Sequence, residues 1–197
     1  MKKSRTETVD TRKRILSTAA RMFLANGLAE TGIASIMTEA GLTQGGFYRH
    51  FRSKEQLIVE ASVAANEKLV GYFNAAVKGK SASEALDTAV VLYLDQLTRQ
   101  DCQGICPLPH LGSELRRADK QVREAAMAGY LNLVKFFAAL AKAAGTPEPM
   151  KLADAMVATM VGAVLLAKLA GSPEAAREIV ANARAAIKTM LSAAEIA

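Results

Sequence analysis

Apolar positions along this chain recur at intervals of three and four residues, which is the spacing of one face of an α-helix. Ile15, Ala19 and Phe23 form one such row in the first predicted helix. The Asn26-Gly27 pair that follows is a helix stop signal, so this helix is expected over about residues 11–26. No stretch shows the sustained alternation of period two that marks β-strands. The pattern therefore predicts an all-α protein.

A second, short helix is predicted over residues 33–40, where apolar residues occupy positions i, i+3, i+4 and i+7. Gly41 closes this helix, because glycine readily adopts the positive φ that a tight turn needs. Thr43 can then cap a third helix over residues 44–50. The first three helices are expected to share one small core.

The third helix is expected to turn Phe47 and Phe51 into that core, because they lie four residues apart on one face. A helix, a glycine-containing turn and a second helix rich in polar groups form a helix-turn-helix, in which the second helix enters the major groove of DNA. The residues left facing outward on the third helix are Gln44, Gly45, Tyr48 and Arg49.

The chemistry of these outward residues suits a DNA groove. Gln44 can offer a bidentate amide to the edge of an adenine, and Arg49 can reach a guanine or a phosphate. The Gly45-Gly46 pair lets the backbone approach DNA closely. The residues expected to contact phosphates are Tyr48, His50, Lys54 and, near the start of the second helix, Thr31.

The basic charge of the chain is concentrated where these helices lie. Residues 1–54 hold ten Lys and Arg against four acidic residues, a net charge of +6, and the remainder holds 15 of each sign. A basic module on a neutral body is the electrostatic footprint of a nucleic-acid binder. On charge alone a solvated basic tail is an equal alternative. Turn chemistry and helix spacing agree with charge, and they favour DNA binding over an interaction domain with core aromatics.

A longer fourth helix is predicted to begin after Ser53, because Gln56 three residues later completes a capping box. It should run to about residue 77. The domain boundary is expected at its start, between an N-terminal helix-turn-helix domain of residues 1–53 and a helical domain of residues 54–197.

The second domain should hold several more helices. Ser81 and Glu84 form another capping box, and Pro107 and Pro109 predict a break over residues 102–111. The remaining helices are expected over about residues 120–144, 150–170 and 173–194.

The segment from Thr11 to Ala61 resembles the DNA-binding domain of the TetR family of regulators. The resemblance rests on AxxxFxxxG at residues 19–27, on AGLTQGGFYRHF at residues 40–51, and on SKEQL leading into the fourth helix. It implies that DNA is contacted by Thr43, Gln44, Gly45, Tyr48, Arg49 and His50, with Lys54 anchoring a phosphate. Many relatives carry a larger residue at Gly45 or Gly46, so base readout here is expected to depend chiefly on Gln44 and Arg49.

The same resemblance implies a homodimer whose last two helices pair with those of the partner. The first apolar stripe available for this is Met156, Met160, Ala163, Val164 and Ala167, and the second is Ile179, Val180, Ala183, Ile187, Met190 and Leu191. Periodicity alone leaves open whether these stripes pack against a partner or against their own chain.

An effector pocket inside the second domain is also implied by the resemblance, and ligand entry there is expected to shift the fourth helix. Large or adaptable apolar side chains on the surrounding helices are the candidate lining residues, although each is individually more typical of plain core. These candidates are Tyr93, Met127, Phe136, Phe137 and Met160, together with Cys106 as a reactive thiol.

Cys102, Cys106 and His110 stand at four-residue spacing. A metal site is disfavoured, because three ligands lack a fourth for a closed tetrahedral zinc site. A thiol sensor of oxidants or electrophiles would need an exposed Cys106 with a depressed pKa. Ordinary packing in a loop is the favoured interpretation.

Catalysis and membrane insertion are not expected. The histidines His50 and His110 lack a glutamate three residues earlier, so di-iron chemistry has no ligands, and no glycine-rich phosphate loop is present. No cofactor is therefore predicted. The N-terminal ten residues show no signal-peptide pattern, and the longest uncharged apolar run, residues 155–167, is shorter than the ~20 residues of a membrane span. With only two cysteines, the cytoplasm is the expected compartment.

The sequence thus predicts a transcriptional repressor that binds an inverted-repeat operator in double-stranded DNA as a homodimer. Release is expected when an unidentified small molecule, or thiol modification, acts on the C-terminal domain. The alternatives are an activator or a redox or electrophile sensor of the same fold, and a helix-turn-helix adaptor that binds protein.

Overall fold

A computed structural model describes residues 5–97 and 105–196, and these residues contain helices and no strand. The all-α prediction is confirmed. The helices are α1 (Arg5–Asn26), α2 (Ile33–Glu39), a 3₁₀ recognition helix (Gln44–Arg49), α3 (Lys54–Val77), α4 (Ala82–Leu94) with a short 3₁₀ turn (Asp95–Leu97), α5 (Leu108–Arg117), α6 (Lys120–Ala143), α7 (Pro149–Leu169) and α8 (Pro173–Ile196).

Helix α1 begins six residues earlier than the apolar pattern predicts. Residues 7–10 are exposed, so this turn carries no buried row that periodicity can detect. The hydroxyl of Thr11 donates a 2.6 Å hydrogen bond to the Glu7 carbonyl, which places it inside the helix. At the other end, Gly27 ends the helix as expected, with a φ of +86°.

Two predicted caps determine where α3 and α4 begin. The Ser53 hydroxyl accepts from the Gln56 amide at 3.2 Å, while the Gln56 side chain accepts from the amide of Arg52 rather than of Ser53. In α4 the box is reciprocal, because the Ser81 hydroxyl accepts from the Glu84 amide and the Glu84 carboxylate accepts from the Ser81 amide.

The prediction of a break over residues 102–111 is wrong from Leu108 onward, where α5 begins. Pro107 is the N-cap of this helix and Pro109 lies in its first turn. Proline is tolerated there because the first amides of a helix have no partner within the helix. The two prolines therefore start a helix rather than interrupt one. Cys102 lies outside the described residues.

Two clusters of buried side chains form the core. The head cluster joins α1, α2 and the recognition helix to the first half of α3 and to Leu111 and Leu115 of α5. The body cluster joins the second half of α3, through Leu69 and Phe73, to α4, α6, α7 and α8. Helix α3 therefore runs through both clusters. The domain boundary between residues 53 and 54 stays a prediction.

Helix α7 lies in the body between α6 and α8. By length and composition it is the one helix of the described segments that is apolar enough to cross a membrane. Its whole predicted dimer stripe, from Met156 to Ala167, is buried within its own chain, and Met156, Met160, Ala163 and Val164 belong to the body cluster. The assignment of that stripe to a partner is therefore wrong. The large exposed apolar residues of α7 lie elsewhere and are Met150, Leu165, Leu166 and Leu169.

Candidate nucleic-acid interface and effector region

The turn of the helix-turn-helix is built on Gly41, which has a φ of +67°. The Leu42 amide donates to the Met37 carbonyl at 2.8 Å, and the Gly41 amide donates to the Thr38 carbonyl at 2.9 Å. These two hydrogen bonds form a Schellman motif, which satisfies the last carbonyls of α2 and reverses the chain toward Thr43.

The recognition helix is a 3₁₀ helix that ends at Arg49, one residue earlier than predicted. Its i to i−3 hydrogen bonds include Gly46 to Thr43 at 3.0 Å and His50 to Phe47 at 2.8 Å. Phe47 and Phe51 are buried, with ring centroids 5.6 Å apart, as the four-residue spacing predicted. This aromatic pair fixes the recognition helix on the head cluster.

The opposite face of the recognition helix is open to solvent. Tyr48 is 68% exposed and contacts only the edge of Phe47 among aromatic neighbours in the described chain, at 5.2 Å. No other atom lies within 4 Å of the position that a Cβ on Gly45 would take. The predicted contacts Thr43, Gln44, Gly45, Tyr48 and Arg49 are all exposed, and His50 is half-buried. The arrangement presents amide, hydroxyl and guanidinium groups on one surface.

Part of the basic charge of the head is engaged within the protein. Arg12 pairs with Glu60 of α3 at 2.5 Å and lies 4.6 Å above the Phe51 ring, and Arg21 pairs with Glu39 of α2 at 2.6 Å. The first pair links α1 to α3, and the second links α1 to α2. Arg52, which no motif singles out, is exposed three residues beyond Arg49 and extends the basic surface.

Thr31 does not face a phosphate, and that prediction is wrong. Its side chain is buried, and its hydroxyl donates to the Gly27 carbonyl at 2.6 Å. The same hydroxyl lies 3.3 Å from the Met22 carbonyl. Thr31 therefore holds the loop between α1 and α2 in place, because a buried hydroxyl with local carbonyl partners satisfies the backbone there.

Lys54, predicted to anchor a phosphate, is half-buried at the start of α3. Its ammonium donates a 2.6 Å hydrogen bond to the Leu28 carbonyl. An ammonium has three donors, so this bond leaves capacity for a phosphate. The phosphate contact stays a prediction.

The body brings most of the predicted effector residues together. Tyr93, Cys106, Phe137 and Met160 are all buried in the body cluster, and Phe136 packs against it. Phe73 of α3, which is not among the predicted lining residues, lies with them, 5.5 Å from the Phe136 ring and 6.4 Å from the Tyr93 ring. Its spacing from Leu69 on the buried face of α3 is the signal that could have identified it.

Met127 lies outside this group. It is 55% exposed on α6. Its prediction as a lining residue of an interior pocket is therefore wrong, because the apolar face of α6 that enters the body cluster is formed by Leu133, Val134 and Phe137.

The Tyr93 hydroxyl is buried and has no hydrogen-bond partner among the described residues. The Cys106 thiol and the Gln96 amide lie beside it without reaching hydrogen-bond geometry, and burial raises the pKa of Tyr93 well above its usual value. A buried polar group without a partner costs about 1–3 kcal/mol. A hydrogen bond to this hydroxyl would remove that cost.

The segment that enters α5 is tied to this region by polar contacts. The Cys106 amide donates to the Gln96 side-chain oxygen at 2.9 Å, and Nδ1 of His110 lies 3.1 Å from the Cys106 carbonyl. Burial, followed by the Lys168 ammonium, lowers the pKa of His110 to about 4, so its imidazole is neutral near pH 7. No group of three metal-binding side chains occurs within the described ranges.

The conditions for a reactive thiol are not met at Cys106. Its side chain is 1% exposed, and burial raises its pKa to about 11. The sensor hypothesis requires an exposed thiol with a depressed pKa, and Cys106 instead packs in the body cluster, which agrees with the favoured interpretation of ordinary packing.

We expect Cys106 to resist alkylation by iodoacetamide at pH 8. The rise of its pKa from 9.0 to about 11 lowers the thiolate fraction roughly 100-fold, and burial slows the reaction further. The measurement is the modification rate by mass spectrometry in a Cys102→Ser background, with a short cysteine peptide as control. Reaction at the rate of the free peptide would contradict the buried thiol.

A three-helix head with an outward polar recognition helix, set on a helical body, is the architecture of a helix-turn-helix regulator. The sequence profile "Bacterial regulatory proteins, tetR family" matches residues 15–61, and the profile "Tetracyclin repressor-like, C-terminal domain" matches residues 82–183. The chain belongs to the TetR family of bacterial regulatory proteins.

Individual relatives agree with this assignment. The HTH-type transcriptional repressor NemR of Escherichia coli is 25% identical over 194 residues, which cover 91% of this chain and 95% of NemR. The uncharacterised HTH-type regulator YerO of Bacillus subtilis is 44% identical over 50 residues, and the repressor KstR2 of Mycolicibacterium smegmatis is 32% identical over 106. The chain spans 17% of the length of YerO and 50% of that of KstR2.

Solved structures share the fold over nearly the whole chain. The reduced form of E. coli NemR superposes with a TM-score of 0.80 at 21% identity, covering 91% of this chain and 96% of that one. A TetR transcriptional regulator from Chloroflexus aurantiacus superposes with a TM-score of 0.76 at 29% identity, covering 93% and 96%.

Proposed function

We propose that this protein is a ligand-responsive transcriptional repressor that binds an inverted-repeat operator as a dimer in the cytoplasm. The observation that carries the proposal is the exposed polar face of the recognition helix, held on buried Phe47 and Phe51. The names of NemR and KstR2, both described as HTH-type transcriptional repressors, support the same direction of control. The proposed role is regulatory rather than catalytic.

In the proposed complex α2 crosses the DNA backbone and the recognition helix enters the major groove. Gln44 reads an adenine through its amide, and Arg49 contacts a guanine or a phosphate. Phosphate contacts from Tyr48, His50 and Lys54 fix the register without selecting sequence. A dimer then reads two half-sites about 34 Å apart on one side of the duplex.

The proposed dimer contact uses the exposed apolar face near the end of α7. Leu165, Leu166 and Leu169 are 40%, 56% and 73% exposed in the single chain. Burial of one such side chain contributes about 1.5–3 kcal/mol. On α8, Val180 and Leu191 are only half-buried, so they can add to the same interface.

The proposed effector is a small, largely apolar molecule with one polar atom. Aromatic rings of Phe73, Phe136 and Phe137 supply the apolar surroundings, and the Tyr93 hydroxyl supplies the unsatisfied polar partner. A coupling of about 1–3 kcal/mol between effector and operator sites changes DNA affinity roughly 5- to 150-fold.

A redox or electrophile response is the second candidate. The solved structure of NemR is described as a reduced form, and Cys106 lies one residue before the cap of α5. Because the thiol is buried, this response requires the body to open first.

Reporter output with and without the gene separates a repressor from an activator.

Selection of duplexes from a random pool by the full-length protein tests the proposal, and an inverted repeat is the expected product. Gln44→Ala is then expected to lower operator affinity. It should also relax the preference at one base pair of each half-site, where discrimination against the wrong base should fall by about 1–3 kcal/mol. Gln121→Ala, an exposed glutamine of α6, is the matched control. No selected sequence, or an unchanged preference in the Gln44 variant, would contradict this assignment.

A further inference from the structure

The loop between α1 and α2 is held by one of its own side chains and by side chains from two helices. Thr31 bonds to the Gly27 carbonyl within the loop, and Lys54 of α3 bonds to the Leu28 carbonyl. The third contact comes from α5, where the Glu114 carboxylate accepts a 2.7 Å hydrogen bond from the Ala29 amide. These contacts fix the segment that leads into α2, and α2 carries the turn and the recognition helix.

Gly27 makes room for this carboxylate. A Cβ at Gly27 would lie 2.5 Å from Oε1 of Glu114, so the carboxylate occupies the space of the missing side chain. Beside this contact, the interface between α1, α3 and α5 is not completely filled. A small open groove lies between α1, α3 and α5, and its lining includes Phe23, Pro107 and Leu111. The carboxylate therefore bridges α5 and the α1–α2 loop at the point where Gly27 leaves space for it.

Helix α5 is anchored at its other end in the effector region. The Gln96 side chain joins the end of α4 to the segment before α5, because its oxygen accepts from the Cys106 amide and its amide donates to the Tyr93 carbonyl at 2.8 Å. Glu114 lies eight residues after Cys106 along the chain. One short helix thus joins the surroundings of Tyr93 to the loop of the head.

We propose that Glu114 is a positioning residue that holds the α1–α2 loop, so that movement of the Gln96–Cys106 contact reaches the recognition helix through α5. This inference rests on the proposed function and specifies its regulation. This route runs beside the one through α3, because Glu114 of α5 contacts the loop directly through the Ala29 amide.

The first test replaces Glu114 and measures solvent exchange in the α1–α2 loop together with operator affinity. In Glu114→Ala, exchange of the Ala29 amide with solvent should accelerate at least tenfold, and affinity for the selected operator should fall about 5- to 20-fold at fixed salt. Glu114→Gln retains an acceptor oxygen and should restore both to within about twofold. Glu124→Ala, at an exposed acidic residue of α6, removes the same charge and should leave the exchange rate unchanged without weakening operator binding.

Removing an acidic residue by itself favours DNA binding, because it raises the positive charge. A weaker operator complex in Glu114→Ala therefore cannot arise from the charge change. Unchanged affinity and exchange in Glu114→Ala would overturn the proposal, and so would failure of Glu114→Gln to restore them.

The second test is a double-mutant cycle with Gln96→Met, which keeps the side-chain length and removes the acceptor for the Cys106 amide. Gln96→Asn, which shortens the reach of the acceptor, serves if the methionine variant does not fold. The Gln96 substitution should change operator affinity at least fivefold in the native background and less than twofold in the Glu114→Ala background. Equal effects in both backgrounds would overturn the proposed route.

Failure of the proposed function is distinguishable from failure of this inference. If no duplex binds the native protein, the proposal of DNA binding is wrong. Solvent exchange of the Ala29 amide still reports on the route from the Gln96–Cys106 contact through α5 to the α1–α2 loop. The Gln96 substitution should then accelerate Ala29 exchange in the native background and not further in Glu114→Ala. Independent effects of the two substitutions on this amide would overturn the inference on its own.

Discussion

Phe47→Ala is expected to unfold the head and abolish operator binding, while the adjacent substitution Tyr48→Ala leaves the fold intact. Phe47 is fully buried, stacks on Phe51 and supports the recognition helix. Removing a buried phenylalanine side chain costs about 3–5 kcal/mol, a large share of the 5–15 kcal/mol that stabilises a typical native protein.

Urea unfolding and a DNA mobility shift measure the two outcomes. Tyr48 is 68% exposed, so its replacement should change the free energy of unfolding by no more than about 0.5 kcal/mol. It should still weaken DNA binding through loss of a phosphate contact. Equal destabilisation by both variants would show that the two aromatic residues are not divided between core and surface in this way.

A protein carrying both Leu166→Glu and Leu169→Glu is expected to be monomeric and to bind the operator about 100-fold or more weakly. Two heads joined in a dimer gain affinity of about 10²–10⁴ over one head, because the second contact is intramolecular. Charged side chains in the apolar contact between subunits remove that gain, since an unpaired charge is costly to bury.

Light scattering coupled to size exclusion gives the mass directly. Leu131→Glu on α6, at a leucine of 47% exposure, is the matched control and should leave both dimer and affinity unchanged. A dimer that persists in the double variant would place the contact between subunits on another face of the body.

Local signals predicted the helix ends well. Gly27, Gly41 and the Ser81 capping box each determine a boundary through backbone chemistry that operates within a few residues. The inward turn of Phe47 and Phe51 followed from spacing alone. The α5 helix was missed because Pro107 and Pro109 were read as breakers, although position in the first turn makes proline compatible with a helix.

Predictions that needed a partner surface were less successful. The prediction of a dimer contact at the α7 stripe around Met160 depended on residue type and helical spacing, and so did the prediction of a pocket at Met127. Helical spacing does not specify which surface covers an apolar stripe. The prediction of a phosphate contact for Thr31 was wrong for a related reason, because its hydroxyl bonds to a nearby carbonyl that only the folded loop brings close. The Glu114 contact spans 85 residues in sequence and leaves no local pattern.

Helix α3 passes through both clusters without a break, from Leu57 in the head to Phe73 in the body. A straight helix of its 24 residues is about 36 Å long. Tilting such a rod by about 5° displaces one end by roughly 3 Å, close to the rise of one base pair. In a symmetric dimer the displacements of the two heads add. A tilt of this size is smaller than the ordinary variation of helix crossing angles, yet it moves the two recognition helices out of register with successive major grooves.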